Sequence, residues 1–125
     1  MKFMMQSCIM VADKVCDGGS KILENFVSPL SATAYEKCVA AGMEFAGLVN
    51  PSEFGTDSLF AESSDSDEAI SAVLEGKCDV VLCNDVYGKI VRAAAMNGLV
   101  FVQERSEEEC HGLLSDCLRP HEARF

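Results

Sequence analysis

An α/β fold with a mostly parallel sheet is what this sequence predicts, and two observations carry the prediction. Residues 80–83 form a short, β-branched apolar run that the turn residues Asn84 and Asp85 end. From Lys89 the period turns helical, with Ile90, Ala93, Ala94 and Asn97 recurring and Gly98 closing the helix; residues 99–102 then start another apolar run. Strand, polar turn, helix and strand make a βαβ unit, whose crossover is right-handed. The second observation is that a helical stretch over 32–41 followed by an apolar run over 43–49 repeats the alternation. In such folds chemistry gathers at the carboxyl ends of strands, which puts residues 84–89 where a site is expected.

The elements follow in chain order. Residues 8–12 read as a first strand, and the breaker 17–20, Asp-Gly-Gly-Ser, follows it. Pro29 stops a short helical turn, and Ser31 is the natural N-cap of the helix over 32–41, which Gly42 ends. A loop over 50–58 leads into the acidic, serine-rich stretch 62–68. There Asp65 with Glu68 makes a capping-box variant for a helix running to Leu74, and Gly76 ends it. After Val102, the residues Cys110, Leu113, Leu114, Cys117 and Leu118 recur at helical spacing up to Pro120, so a last amphipathic helix caps the sheet. One domain over 1–118 and a tail over 119–125 complete the expected organisation.

Bulk composition bounds the function. A chain of 125 residues with 49% apolar and 24% charged residues supports one modest core. A net charge of −10 argues against direct contact with nucleic acid or an anionic membrane. No stretch is long and apolar enough to span a bilayer, and Gln6 and Ser7 interrupt the first apolar run too early for a signal peptide. The seven cysteines lie mostly in apolar runs, as reduced core thiols do, so a cytoplasmic location is expected. Cys78-x4-Cys83 and Cys110-His111-x5-Cys117 both lack the tight C-x2-C spacing of zinc sites, so no metal and no cofactor is expected.

Residues 20–37, SKILENFVSPLSATAYEK, closely resemble the pattern S-K-x-L-E-N-[FY]-x-[SP]-P-x-[DS]-A-T-x-x-E-K. That pattern belongs to the amidase signature family, in its branch of glutamyl-tRNA(Gln)/aspartyl-tRNA(Asn) amidotransferase A subunits. Ile9, Val11, Ala12 and Lys14 fall in register with the family's I-P-[IV]-A-[IV]-K-D, and residues 50–58 resemble its N-x-x-E-F-x-x-G-S. Asp85, Gly88, Ile90 and Gly98 match the segment G-[ST]-D-x-G-G-S-I-R and the helix after it. The resemblance covers roughly residues 9–102. It implies a three-layer α/β/α fragment of the amidase signature fold, as in a truncated, degenerate relative of those subunits.

The resemblance also implies a Ser-Ser-Lys triad, in which a lysine and a bridging serine activate the nucleophilic serine. Carried across, Lys14 matches the lysine, Asp65 stands at the bridging serine between Ser64 and Ser66, and Lys89 stands at the nucleophile. No Ser, Thr or Cys occurs between Asn84 and Arg92 to replace it. An ammonium is not a nucleophile, and a neighbouring carboxylate keeps it protonated. No intact triad is expected, and Asn84, Asp85, Tyr87 and Gly88 remain as candidate pocket residues. The expected role is a non-catalytic binding, regulatory or assembly module, working as a homo-oligomer or with another protein subunit. Two alternatives stand beside it. One is a small enzyme with Cys83 or Cys16 as nucleophile and His111 or His121 approaching in space. The other is a small-molecule domain in which Lys14 and Lys89 hold a carboxylate.

Overall fold

The computed structural model describes residues 1–55, 67–85 and 88–103. Its centre is β1 (Lys2–Gln6), flanked by β2 (Glu44–Val49) and β3 (Val80–Leu82) in the order β2-β1-β3, both pairings parallel. Helix α1 (Thr33–Ala40) connects β1 to β2, and α2 (Glu68–Leu74) lies between β2 and β3; α3 (Lys89–Met96) follows β3.

Strand alternation explains the layers, because successive side chains leave a strand on opposite faces. Phe3, Met5, Val80 and Leu82 share a cluster with Ala34, Tyr35 and Cys38 of α1. Met4, Val49 and Val81 pack instead with Ala69, Ala72 and Val73 of α2. Helices therefore cover both faces, and the expected α/β architecture is the one observed. The α1 face is aromatic: Phe3, Tyr35 and Phe45 sit with ring centroids 5.2 to 6.1 Å apart. The other face is built from small residues, with Ala93 and Ala94 of α3 packed beside Ile70 of α2.

Several expected elements are displaced. The first strand is Lys2–Gln6, and not 8–12. Residues 3–12 are almost continuously apolar, so hydropathy alone does not choose between the halves; pairing with both 44–49 and 80–82 does. Cys8, Ile9 and Val11 are still buried, but in a turn beyond the strand. The N-cap of α1 is Ala32, without a side-chain cap, because Ser31 Oγ accepts the Ala12 N–H at 3.0 Å. Helix α2 is capped by Asp67, whose Oδ1 accepts the Ala69 N–H at 2.8 Å. Its Glu68 accepts the Asn50 N–H and so ties the helix to the end of β2.

Residues 99–102 form no strand. Leu99 and Phe101 pack against the α2–α3 cluster, while Val100 and Val102 are 91% and 81% exposed. The βαβ relationships run through β1-α1-β2 and β2-α2-β3, not across α3. The last helix, the tail, Asp65 and Tyr87 lie outside the described residues. Among the described residues no helix is long and apolar enough to cross a membrane.

Candidate functional site

Two loops meet at the carboxyl end of the sheet. The first leaves β1 and is held by side-chain hydrogen bonds. Ser7 N–H extends the ladder to Val49 O at 2.9 Å, and Ser7 Oγ donates to Asp17 Oδ1 at 2.8 Å. The same Asp17 oxygen accepts the Gly19 N–H at 2.9 Å. Gly19 has φ +74°, and a Cβ there would run into Pro51 O, so only glycine fits where this loop meets the one after β2. Ser20 Oγ donates to Glu53 Oε1 at 2.9 Å and accepts the Ile22 N–H, joining the SKILENF segment to the second family-like stretch. Ser7, Ser20 and Ser28 are all buried, as satisfied polar groups can be.

The second loop follows β3. Asn84 N–H donates to Gln6 Oε1 at 2.9 Å, so the buried side chain ending the central strand holds the start of this turn. Gly88 takes the left-handed conformation, φ 78°, at the N-cap of α3 and carries no side chain to cap with. Asp85 replaces it: its Oδ2 accepts the Val91 N–H at 3.0 Å, supplying both a hydrogen bond and a negative charge at the helix N-terminus. Asp85 is thus a helix cap, and Lys89 is the first residue of α3.

The structure puts the two lysines in different places. Lys14 and Val15 line a groove of about 400 Å³ beside Phe45, Ala46, Gly47 and Leu48 of β2. Lys89 begins the helix that follows β3. Asn84, Asp85 and Gly88 do share one turn, while Asp65 and Tyr87 are outside the described residues.

Among the described residues, burial raises the thiols of Cys8, Cys16 and Cys83. Burial pushes Cys8 up to about 11, and burial also pushes up Cys83, helped by the nearby Asp67 carboxylate. Cys16 is raised by burial, its sulfur enclosed by the Val11 N–H at 3.4 Å and the Val11 and Ile9 carbonyls. All three stay thiols at neutral pH, whereas a nucleophilic cysteine needs the thiolate. Among the described residues no three His, Cys, Asp or Glu side chains group as metal ligands do.

The sequence reading took Gln6 only as an interruption of an apolar run, and its signal is a lone amide within the apolar stretch 3–12 that the structure buries where the central strand meets its loops.

Comparison with known proteins identifies relatives of one kind. The chain is 32% identical over 114 residues to the A subunit of glutamyl-tRNA(Gln) amidotransferase from Symbiobacterium thermophilum, covering 74% of this chain and 23% of that protein. The same protein of Solidesulfovibrio magneticus is 31% identical over 116 residues, covering 80% of this chain and 24% of the relative. That of Acinetobacter baumannii is 52% identical over 46 residues, covering 37% and 9%. The chain therefore spans about a quarter of the length of the relatives matched along most of it. No family model matches it, and no solved structure does.

Proposed function

Since the chain is a relative of the glutamyl-tRNA(Gln) amidotransferase A subunits, of the amidase signature family, we propose that it is a non-catalytic binding, regulatory or assembly module of amidase-like architecture. The observation that carries this reading is the turn over 84–89. Among the described residues its frame has Gly88 left-handed at the N-cap, Asp85 on the Val91 N–H, and Asn84 on Gln6. Yet the position that the family resemblance assigns to the nucleophile is Lys89, and the whole segment to Arg92 contains no serine, threonine or cysteine. A helix terminus that offers a lysine where acyl transfer needs a hydroxyl or thiol suits a binding or structural role.

The module works by association, with further copies of itself or with another protein. The relatives are by name subunits of a larger assembly, and Val100 and Val102 leave apolar surface on this one. A small-molecule ligand, with Lys14 and Lys89 holding a carboxylate, remains compatible with this role. We place the protein in the cytoplasm, in keeping with the free cysteines 8, 16, 38, 78 and 83.

Amide hydrolysis tests the catalytic half of the proposal. The double variant Lys89→Ser, Asp65→Ser is expected to release no ammonia from glutamine or simple amides above the wild-type background. Clear turnover by that variant would mean that the rest of the machinery is present. Iodoacetamide labelling followed by intact mass tests the cysteine alternative: slow labelling at neutral pH is expected, and one fast-reacting thiol at Cys16 or Cys83 would revive it.

A further inference from the structure

The groove beside β2 touches four consecutive residues, Phe45 to Leu48. β1 takes one side of β2, which leaves β2 an edge strand; among the described residues no strand pairs with its outer side. Unpaired edge groups are a template for another strand. Natural edges are commonly blunted by an inward-pointing charge or proline, but Glu44 is the only charged residue of β2 and stands at its start. Ala46 and Gly47 put almost no bulk at the middle, and β1 pairs past Ala46, which bulges out of register. Val15 and Val27, bridged to each other next to the groove, are 47% and 54% exposed.

From this we infer that the outer edge of β2 pairs antiparallel with β2 of a second copy, and that Lys14 of each copy meets Glu44 of the partner subunit. The inference rests on the association proposed above and names its surface. A two-fold axis at Ala46 sets Glu44 of the partner subunit opposite Leu48, which lines the same groove as Lys14. The contact is self-complementary: each copy supplies one lysine and one glutamate, and two three-stranded sheets become one of six. Local attraction at two ion pairs then opposes the general repulsion between copies of net charge −10.

Charge reversal separates the local pair from the overall charge. Lys14→Glu makes the chain more acidic and Glu44→Lys makes it less so, so a pure net-charge effect would weaken association in the first and strengthen it in the second. The pair predicts that both weaken it, by about tenfold in dissociation constant at low salt, since each change acts twice across the axis. The double reversal is expected to restore the wild-type value. Ala46→Cys, oxidised mildly and mapped by mass spectrometry, is expected to give a 46–46 link, because residues facing each other at such an axis lie within disulfide reach. Sedimentation velocity reads association, and far-UV circular dichroism checks folding for each variant. A wild type that associates while Glu44→Lys tightens it and no 46–46 link forms would overturn this surface and leave the association standing. A monomer at tens of micromolar would overturn both.

Discussion

The loop after β1 and the turn after β3 stand side by side at one end of the sheet, yet they are built in opposite ways. The first is long and is locked by buried side chains: Ser7 on Asp17, Ser20 on Glu53, Ser28 on the Leu30 carbonyl at 2.6 Å. The second is short and is held by one glycine conformation, one carboxylate cap and the amide of Gln6. Between them they carry both lysines that the family resemblance aligns with a triad, and the locking groups just named are other side chains. The comparison teaches that each loop is held by side chains other than its lysine.

The difference can be broken most strongly at Gly19. Its positive φ and the closeness of Pro51 O make Gly19→Ala strained and overpacked together, so a loss of about 3 kcal/mol is expected in urea unfolding. Gly88→Ala meets only the Val91 side chain and carries the conformational cost alone, about 1 kcal/mol. Equal losses at the two glycines would mean that the first loop is not locked against the loop after β2.

Alkaline pH acts next, and again through the first loop. The Cys8 thiol is raised to about 11 in the folded protein against 9.0 unperturbed, so the unfolded chain loses its proton first. Stability is then full below pH 9 and falls as pH rises towards 11, by about 2–3 kcal/mol at most. Cys8→Ala is expected to flatten this limb in melting curves taken across that range. Part of the limb should survive, because burial raises Cys83 in the second turn as well. A limb unchanged by Cys8→Ala would assign the effect elsewhere.

Gln6 links the two loops, and Gln6→Ala leaves the Asn84 N–H without its acceptor at a buried strand end. About 2 kcal/mol is expected. Hydrogen exchange should show the Asn84 amide losing protection while the Ser7 amide, bonded to Val49 O, keeps its own. The smallest effect belongs to the cap: Asp85→Ala costs about 1 kcal/mol, and Asp85→Asn less, since an amide oxygen still accepts the Val91 N–H. An Asn variant as damaging as Ala would show that charge, and not the hydrogen bond, is what the helix terminus needs.

The sequence by itself determined the class of fold, two of the three strands and all three helices to within a few residues. It did so where period and punctuation agree: Val80, Val81 and Leu82 before Asn84, Ala93 and Ala94 before Gly98, and the family-like run through Glu36 and Lys37. It also pointed to the relatives, because that resemblance depends on order along the chain. What it left undecided are the matters that depend on which segments meet. The run 3–12 is apolar almost throughout, and only pairing on both sides selects Lys2–Gln6 as the central strand. Ser31 is a sound cap by local rules, but the Ala12 N–H claims it, and Asp67 takes the role expected of Asp65. Residues 99–102 have strand composition and, among the described residues, no neighbour to pair with, so Leu99 and Phe101 pack on helices instead. Local propensity is worth tenths of a kilocalorie per residue, whereas a lost partner for a buried backbone group costs about 1–3 kcal/mol, so pairing prevails wherever the two disagree.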